Sequence, residues 1–236
     1  MDLRPPAGVP VTRAASAPLA WATVIAAALA IAGALLAPAA PWADWLLWFG
    51  KPLATACILV LALRAQPAVS ARYRRFIALG LGCSLLGDVL LMLPGDLFVP
   101  GLVAFLVAHL CYLRAFFTLG VMRRLLLPLL ATLGFGAACV AALWTAIAPP
   151  LRPAVIAYVA VLASMAGVAL ARARMAHGDR SARLAAVGAL LFMLSDALLA
   201  WDRFRGPLPL APLWILATYY AAQWRIARST SAAEGA

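Results

Sequence analysis

Long apolar runs, broken at near-regular intervals by arginine, proline or glycine, dominate the chain. They fall at about 18–37, 42–63, 76–93, 97–119, 125–147, 153–171, 184–201 and 208–227, and each approaches the roughly 20 residues that a helix needs to cross a bilayer. The expected fold is therefore all-α and polytopic: eight transmembrane helices with short loops over residues 18–227, between tails at 1–17 and 228–236. No link between the runs is long enough for a soluble domain. Basic residues test the count, because cytoplasmic loops are enriched in them. Arg4 and Arg13, then Arg64 to Arg75, then Arg114 to Arg124, then Arg172 to Arg183, then Arg225 and Arg228 fall on one side, against only Arg152, Arg203 and Arg205 on the other. Both termini are expected in the cytoplasm.

Two of the runs carry a carboxylate. Asp196 interrupts the apolar stretch from Leu184 to Ala200, and Asp88 interrupts ALGLGCSLLGDVLLM; a glycine, Gly188 or Gly80, precedes each aspartate by eight residues. A charge in hydrocarbon is costly, so such residues are candidates for function. The expected helix bounds put both aspartates about 18 Å from the arginine-rich end, level with each other. Lys51, His109, Tyr112, Tyr219, Tyr220 and Gln223 are expected in the same layer, converging on one cavity. A shift of 108 residues maps Asp88 onto Asp196 and Tyr112 onto Tyr220, which allows two parallel four-helix halves.

Composition removes other classes. With 66% hydrophobic and 11% charged residues and a mean hydropathy of +0.98, the chain is an integral membrane protein. Its net charge of +11 then reflects cytoplasmic loops and not a nucleic-acid partner. The Ala- and Arg-rich sequence points to a bacterial inner membrane. Cys57, Cys83, Cys111 and Cys139 all lie in apolar runs and read as small hydrophobes, so no metal site is implied. The first apolar run exceeds the 7 to 15 residues of a signal-peptide core, so it is expected to remain as an uncleaved helix.

Two carboxylates in one site, one protonated and one ionised, make an acid and base pair. Lys51 would be their counter-ion or hold an anionic substrate group. For His109 the readings of packing residue and catalyst stand level. Tyr112, Tyr219 and Tyr220 would line the pocket or orient a carboxylate, whereas Trp42, Trp45, Trp48, Trp201 and Trp214 suit interfacial anchors. Asp202 and Arg203 either pair at the surface or stand at the cavity mouth, with Arg205, to receive a phosphate.

The segments GKPLATA, LLGDVLLML, GLVAFLVAHLCYL and LSDALLAWDRFRGPLPLAPLWILATYYAAQ together resemble the YhhN-like lysoplasmalogenase family. The resemblance implies a membrane hydrolase that cleaves the vinyl-ether bond of a lysophospholipid, giving a fatty aldehyde and glycerophosphoethanolamine or glycerophosphocholine without a cofactor. It implies Asp88 and Asp196 as the catalytic pair, with Lys51, His109, Tyr112, Ser195, Asp202, Arg203 and Tyr220 in support. A proton-coupled transporter using the same aspartates as a relay is the alternative. An intramembrane aspartyl protease does not fit, because Leu85 stands where its GxGD motif has glycine.

Overall fold

A computed structural model describes residues 11–232. The outermost parts of both expected tails, residues 1–10 and 233–236, lie outside them. Among the described residues there are eight α-helices: α1 Val11–Leu36, α2 Asp44–Leu63, α3 Ala71–Leu90, α4 Phe98–Phe116, α5 Leu126–Leu143, α6 Arg152–Met175, α7 Arg180–Phe204 and α8 Ala211–Arg228. Six of them contain segments long and apolar enough to cross a membrane. The other two, α3 and α8, are the polar ones. Three arginines and Asp88 fall within the twenty residues of α3, and α8 is short and carries Gln223, Arg225 and Arg228.

Local signals explain where the helices begin. Ser70 caps α3 by accepting the N–H of Tyr73 at 3.1 Å, and Asp179 caps α7 by accepting that of Ser181 at 2.8 Å. Both helices therefore start four or five residues before the expected apolar runs and take arginines into their first turns.

Consecutive helices pack as hairpins, α1 on α2, α3 on α4, α5 on α6 and α7 on α8, and the contacts of α4 with α6 and of α2 with α8 close the bundle. Gly80 and Gly188 do the same job in two of these hairpins. A Cβ on Gly80 would run into the Tyr112 ring of α4, and one on Gly188 would lie 2.9 Å from the Ala222 carbonyl of α8. Small residues let neighbouring helices approach closely where no aqueous hydrophobic effect drives them together. Trp21, Phe49 and Leu126 leave about two thirds or more of their surface uncovered, as hydrocarbon permits and water would not. Trp42 and Trp45 at the start of α2, Trp201 near the end of α7 and Trp214 at the start of α8 gather at the arginine-poor end.

The segment after α8 is pinned at the opposite end. Tyr73 and Ser229 share a hydroxyl hydrogen bond of 2.7 Å, Ser181 donates to the Ser229 carbonyl at 2.6 Å, and the Val69 N–H donates to Thr230 at 2.9 Å.

Candidate functional site

Asp88 lies about 25 Å along α3 from Ala71, and Asp196 about 24 Å along α7 from Arg180, at 1.5 Å per residue. The two carboxylates are level, as expected, but deeper than the 18 Å that the apolar runs implied. The early caps at Ser70 and Asp179 account for the difference, and the polar layer sits nearer the arginine-poor end.

Both face a cavity of about 140 Å³ whose wall includes Lys51, Asp88, Tyr158, Ser195, Asp196 and Tyr219. The rest of the wall is apolar, with Phe98, Leu102 and Phe105 from α4 and Phe135 and Cys139 from α5. Although they share this space, no hydrogen bond joins the two carboxylates. Their helices, α3 and α7, do not pack on each other. Phe105, Phe192 and Tyr219 form an edge-to-face triad in the bundle, with ring centroids 5.5 to 6.2 Å apart.

The surroundings of the two aspartates differ. Asp88 is buried, and its Oδ2 accepts from Thr55 Oγ1 and from Tyr219 Oη, each at 2.7 Å. Its Oδ1 lies 3.5 Å from the ammonium of Lys51, the only lysine in the chain. Thr55 follows Lys51 by one helical turn, so α2 presents an ammonium and a hydroxyl on one face. This is an acceptor-only group surrounded by donors, the arrangement that suits an ionised carboxylate.

Asp196 has no such cation. Its Oδ2 accepts from Tyr158 Oη at 2.5 Å, and His109 Nε2 lies 3.0 Å from that same Oη and 3.6 Å from Oδ2. No lysine or arginine among the described residues lies within ion-pair distance of it. His109 is fully buried, sits edge-on to Phe192 at 4.6 Å, and its Nδ1 has no partner among the described residues.

The remaining expected site residues are spread more widely than one cavity. Ser195 lines it and donates to the Ile215 carbonyl at 3.0 Å, tying α7 to α8. Tyr112 stays outside the wall because its ring lies on Gly80; it donates to Gln223 Oε1 at 2.8 Å, and Gln223 Nε2 donates to Tyr219 Oη at 3.1 Å. A buried chain of polar groups thus supports Asp88 from behind. Tyr220 is buried beside Tyr219, with its hydroxyl unpaired among the described residues. Asp202 and Arg203 do not pair with each other and do not line the cavity. Asp202 accepts the Leu208 N–H at 2.9 Å, which shapes the link between α7 and α8. Arg203 donates to both Asp96 oxygens at 2.9 Å across the arginine-poor end, and Arg205 donates to the Ala142 carbonyl. The end of α7 turns these groups toward the adjoining links and the last turn of α5, not toward the carboxylates.

The sequence profile described as the YhhN family matches residues 46–230. The chain belongs to the YhhN family. The match spans every residue of the site, from Lys51 on α2 to Gln223 on α8, and leaves out the whole of α1. Among curated relatives, the human protein named lysoplasmalogenase TMEM86B is 36% identical over 189 residues, covering 79% of this chain and 77% of its own. The Sus scrofa protein of the same name is 38% identical over 76% of this chain and 72% of its own. Human lysoplasmalogenase TMEM86A is 36% identical over 65% of this chain and 64% of its own. No solved structure matches.

Sequence reasoning missed two residues that hydrogen-bond the aspartates, Thr55 and Tyr158. Thr55 carried a signal in its four-residue spacing from Lys51. Tyr158 lies about 9 Å along α6 from Arg152, close to the depth of Lys51 along α2 from Asp44, about 10 Å. A depth comparison extended to hydroxyls would have found it.

Proposed function

We propose that this YhhN-family protein is a membrane hydrolase that cleaves the vinyl-ether bond of a lysoplasmalogen-like lipid, releasing a fatty aldehyde and glycerophosphoethanolamine or glycerophosphocholine. One observation carries the reading: two carboxylates face one cavity, one held by an ammonium and two hydroxyls, the other by hydroxyl and imidazole alone. The names of the relatives point to the same chemistry.

In this account Asp196 is the acid and Asp88 the ionised base. The Tyr158 bond occupies Asp196 Oδ2, so Oδ1 holds the transferable proton. That proton goes to the outer alkene carbon, and the resulting oxocarbenium ion is stabilised by the nearby carboxylates, as in glycoside hydrolysis. Water adds to the cationic carbon and its proton passes to Asp88. Collapse of the hemiacetal returns the hydroxyl proton to Asp196, breaks the carbon–oxygen bond, and takes the proton on Asp88 to the departing glycerol oxygen. Both aspartates end as they began.

The same reading takes all eight helices as spans with the arginine-rich end in the cytoplasm. The helix neighbourhoods support a parallel repeat: Asp88 on α3 is served by α2 and α8, and Asp196 on α7 by α6 and α4, which is the same arrangement moved on by four helices.

The test is direct. Purified protein in detergent, given a lysolipid vinyl ether, should release one fatty aldehyde per glycerophospho product. Lipid uptake by proteoliposomes with no aldehyde would favour the transporter instead.

A further inference from the structure

Val140 on α5 and Val159 on α6 belong to two hollows at once. On one side they line the cavity that holds Asp88 and Asp196; on the other they line an open groove shared with Leu133, Ala137, Trp144 and Ile156. Trp144 and Ile156 are 40% and 48% exposed, so this groove faces the surroundings, which for an apolar surface on spanning helices is lipid. Two valine side chains are therefore common to the wall of the reactive cavity and to the bilayer face.

The seam is thin and, away from its arginine-poor end, has no side-chain hydrogen bond across it among the described residues. A Cβ on Gly136 would lie 2.6 Å from Val159 Cγ1, so Val159 packs against bare α5 backbone. Side-chain hydrogen bonds from other helices reach this part of the chain at Ala142 and Trp144, both at the arginine-poor end, where Arg205 and Arg152 donate. Thr132 bonds only within α5. Apart from its contacts with α6 and with the turn at 119–124 that leads into it, the helix only grazes α7. By contrast, the α2, α3 and α8 side of the cavity is laced by the Lys51, Thr55, Tyr219 and Gln223 network.

We propose that the α5–α6 seam is the lateral portal through which the hydrocarbon chain of a single-chain ether lipid passes between bilayer and carboxylates, with Val140 and Val159 as its gate. The inference rests on the hydrolase reading for the identity of the lipid. A cavity of about 140 Å³ is smaller than the roughly 300 to 1,000 Å³ of sites that enclose drug-sized ligands, so a long chain whose alkene lies at the carboxylates must leave through a wall. The groove beyond Val140 and Val159 gives it an apolar bed.

Two measurements test the portal. A non-hydrolysable alkyl-ether lysolipid with a diazirine at the chain terminus is photolysed with the full-length protein in lipid nanodiscs, and the labelled peptides are mapped. Adducts within 133–144 and 156–160 that disappear under excess unlabelled ether lysolipid are expected; adducts confined to other helices, or not displaced, would overturn the portal. Separately, Val140→Trp and Val159→Trp should each lower the ratio of kcat/KM for a long-chain over a short-chain vinyl ether by about tenfold or more. An unchanged ratio contradicts the proposal. If the wild-type protein hydrolyses neither substrate, the hydrolase reading fails, and the photolabelling still decides the portal.

Discussion

Lys51 Nζ lies 3.5 Å from Asp88 Oδ1, while Asp196, on the wall of the same cavity, has no lysine or arginine beside it among the described residues. The two aspartates look alike along the chain and are distinguished by what other helices bring to them. Removing the cation tests that difference. Lys51→Met leaves a buried carboxylate without its partner and should destabilise the protein by about 3 to 5 kcal/mol. Lys51→Met combined with Asp88→Asn should recover most of the loss, because the amide oxygen still accepts from Thr55 and Tyr219. Thermal unfolding in detergent reads both.

Tyr158 acts through Asp196. Tyr158→Phe removes the hydrogen bond that fixes the Asp196 carboxyl group and should lower kcat by about 10- to 100-fold, with a stability loss of about 1 kcal/mol. Tyr112→Phe, which breaks the bond to Gln223 behind the site, should cost about 1 kcal/mol of stability and only a few-fold in kcat. Steady-state kinetics on a vinyl-ether lysolipid separate the two.

Asp202 accepts a backbone N–H and has no part in the cavity wall. Asp202→Asn should keep both stability and turnover, since an amide oxygen accepts the Leu208 N–H equally. Asp202→Ala should lose about 1 kcal/mol through the freed link between α7 and α8. A charge requirement at this position would appear as loss of turnover in the Asn variant.

The Asp96 and Arg203 pair ties the α3–α4 link to the last turn of α7 at an exposed end, where such pairs contribute about 0.2 to 1 kcal/mol. Arg203→Ala should therefore shift the melting temperature only slightly, and less still at high salt.

The helix count and the level of the aspartates were legible because apolar run length and arginine spacing respond to one variable, bilayer thickness. Their depth was not. Ser70 and Asp179 are single polar residues among basic loops, and nothing in the apolar runs revealed that they would start α3 and α7 early. Convergence was overread at His109, Tyr112, Tyr220 and Gln223, none of which lines the cavity: depth puts a residue in the right layer, but the face it occupies depends on the packing of α4 and α8. Tyr158 went unseen for the opposite reason, as a lone hydroxyl in an apolar run has no periodicity to mark it. The separation of the carboxylates onto different donor sets is a tertiary property, set by α2 and α8 at one and by α4 and α6 at the other.

Infrared difference spectroscopy of the protonated carboxyl stretch tests the division of labour most directly, at neutral pH in detergent with Asp88→Asn and Asp196→Asn beside wild type. With Asp196 as the acid, a protonated carboxyl band is expected in the wild type that survives Asp88→Asn and vanishes in Asp196→Asn. A band that survives Asp196→Asn and vanishes in Asp88→Asn would contradict it.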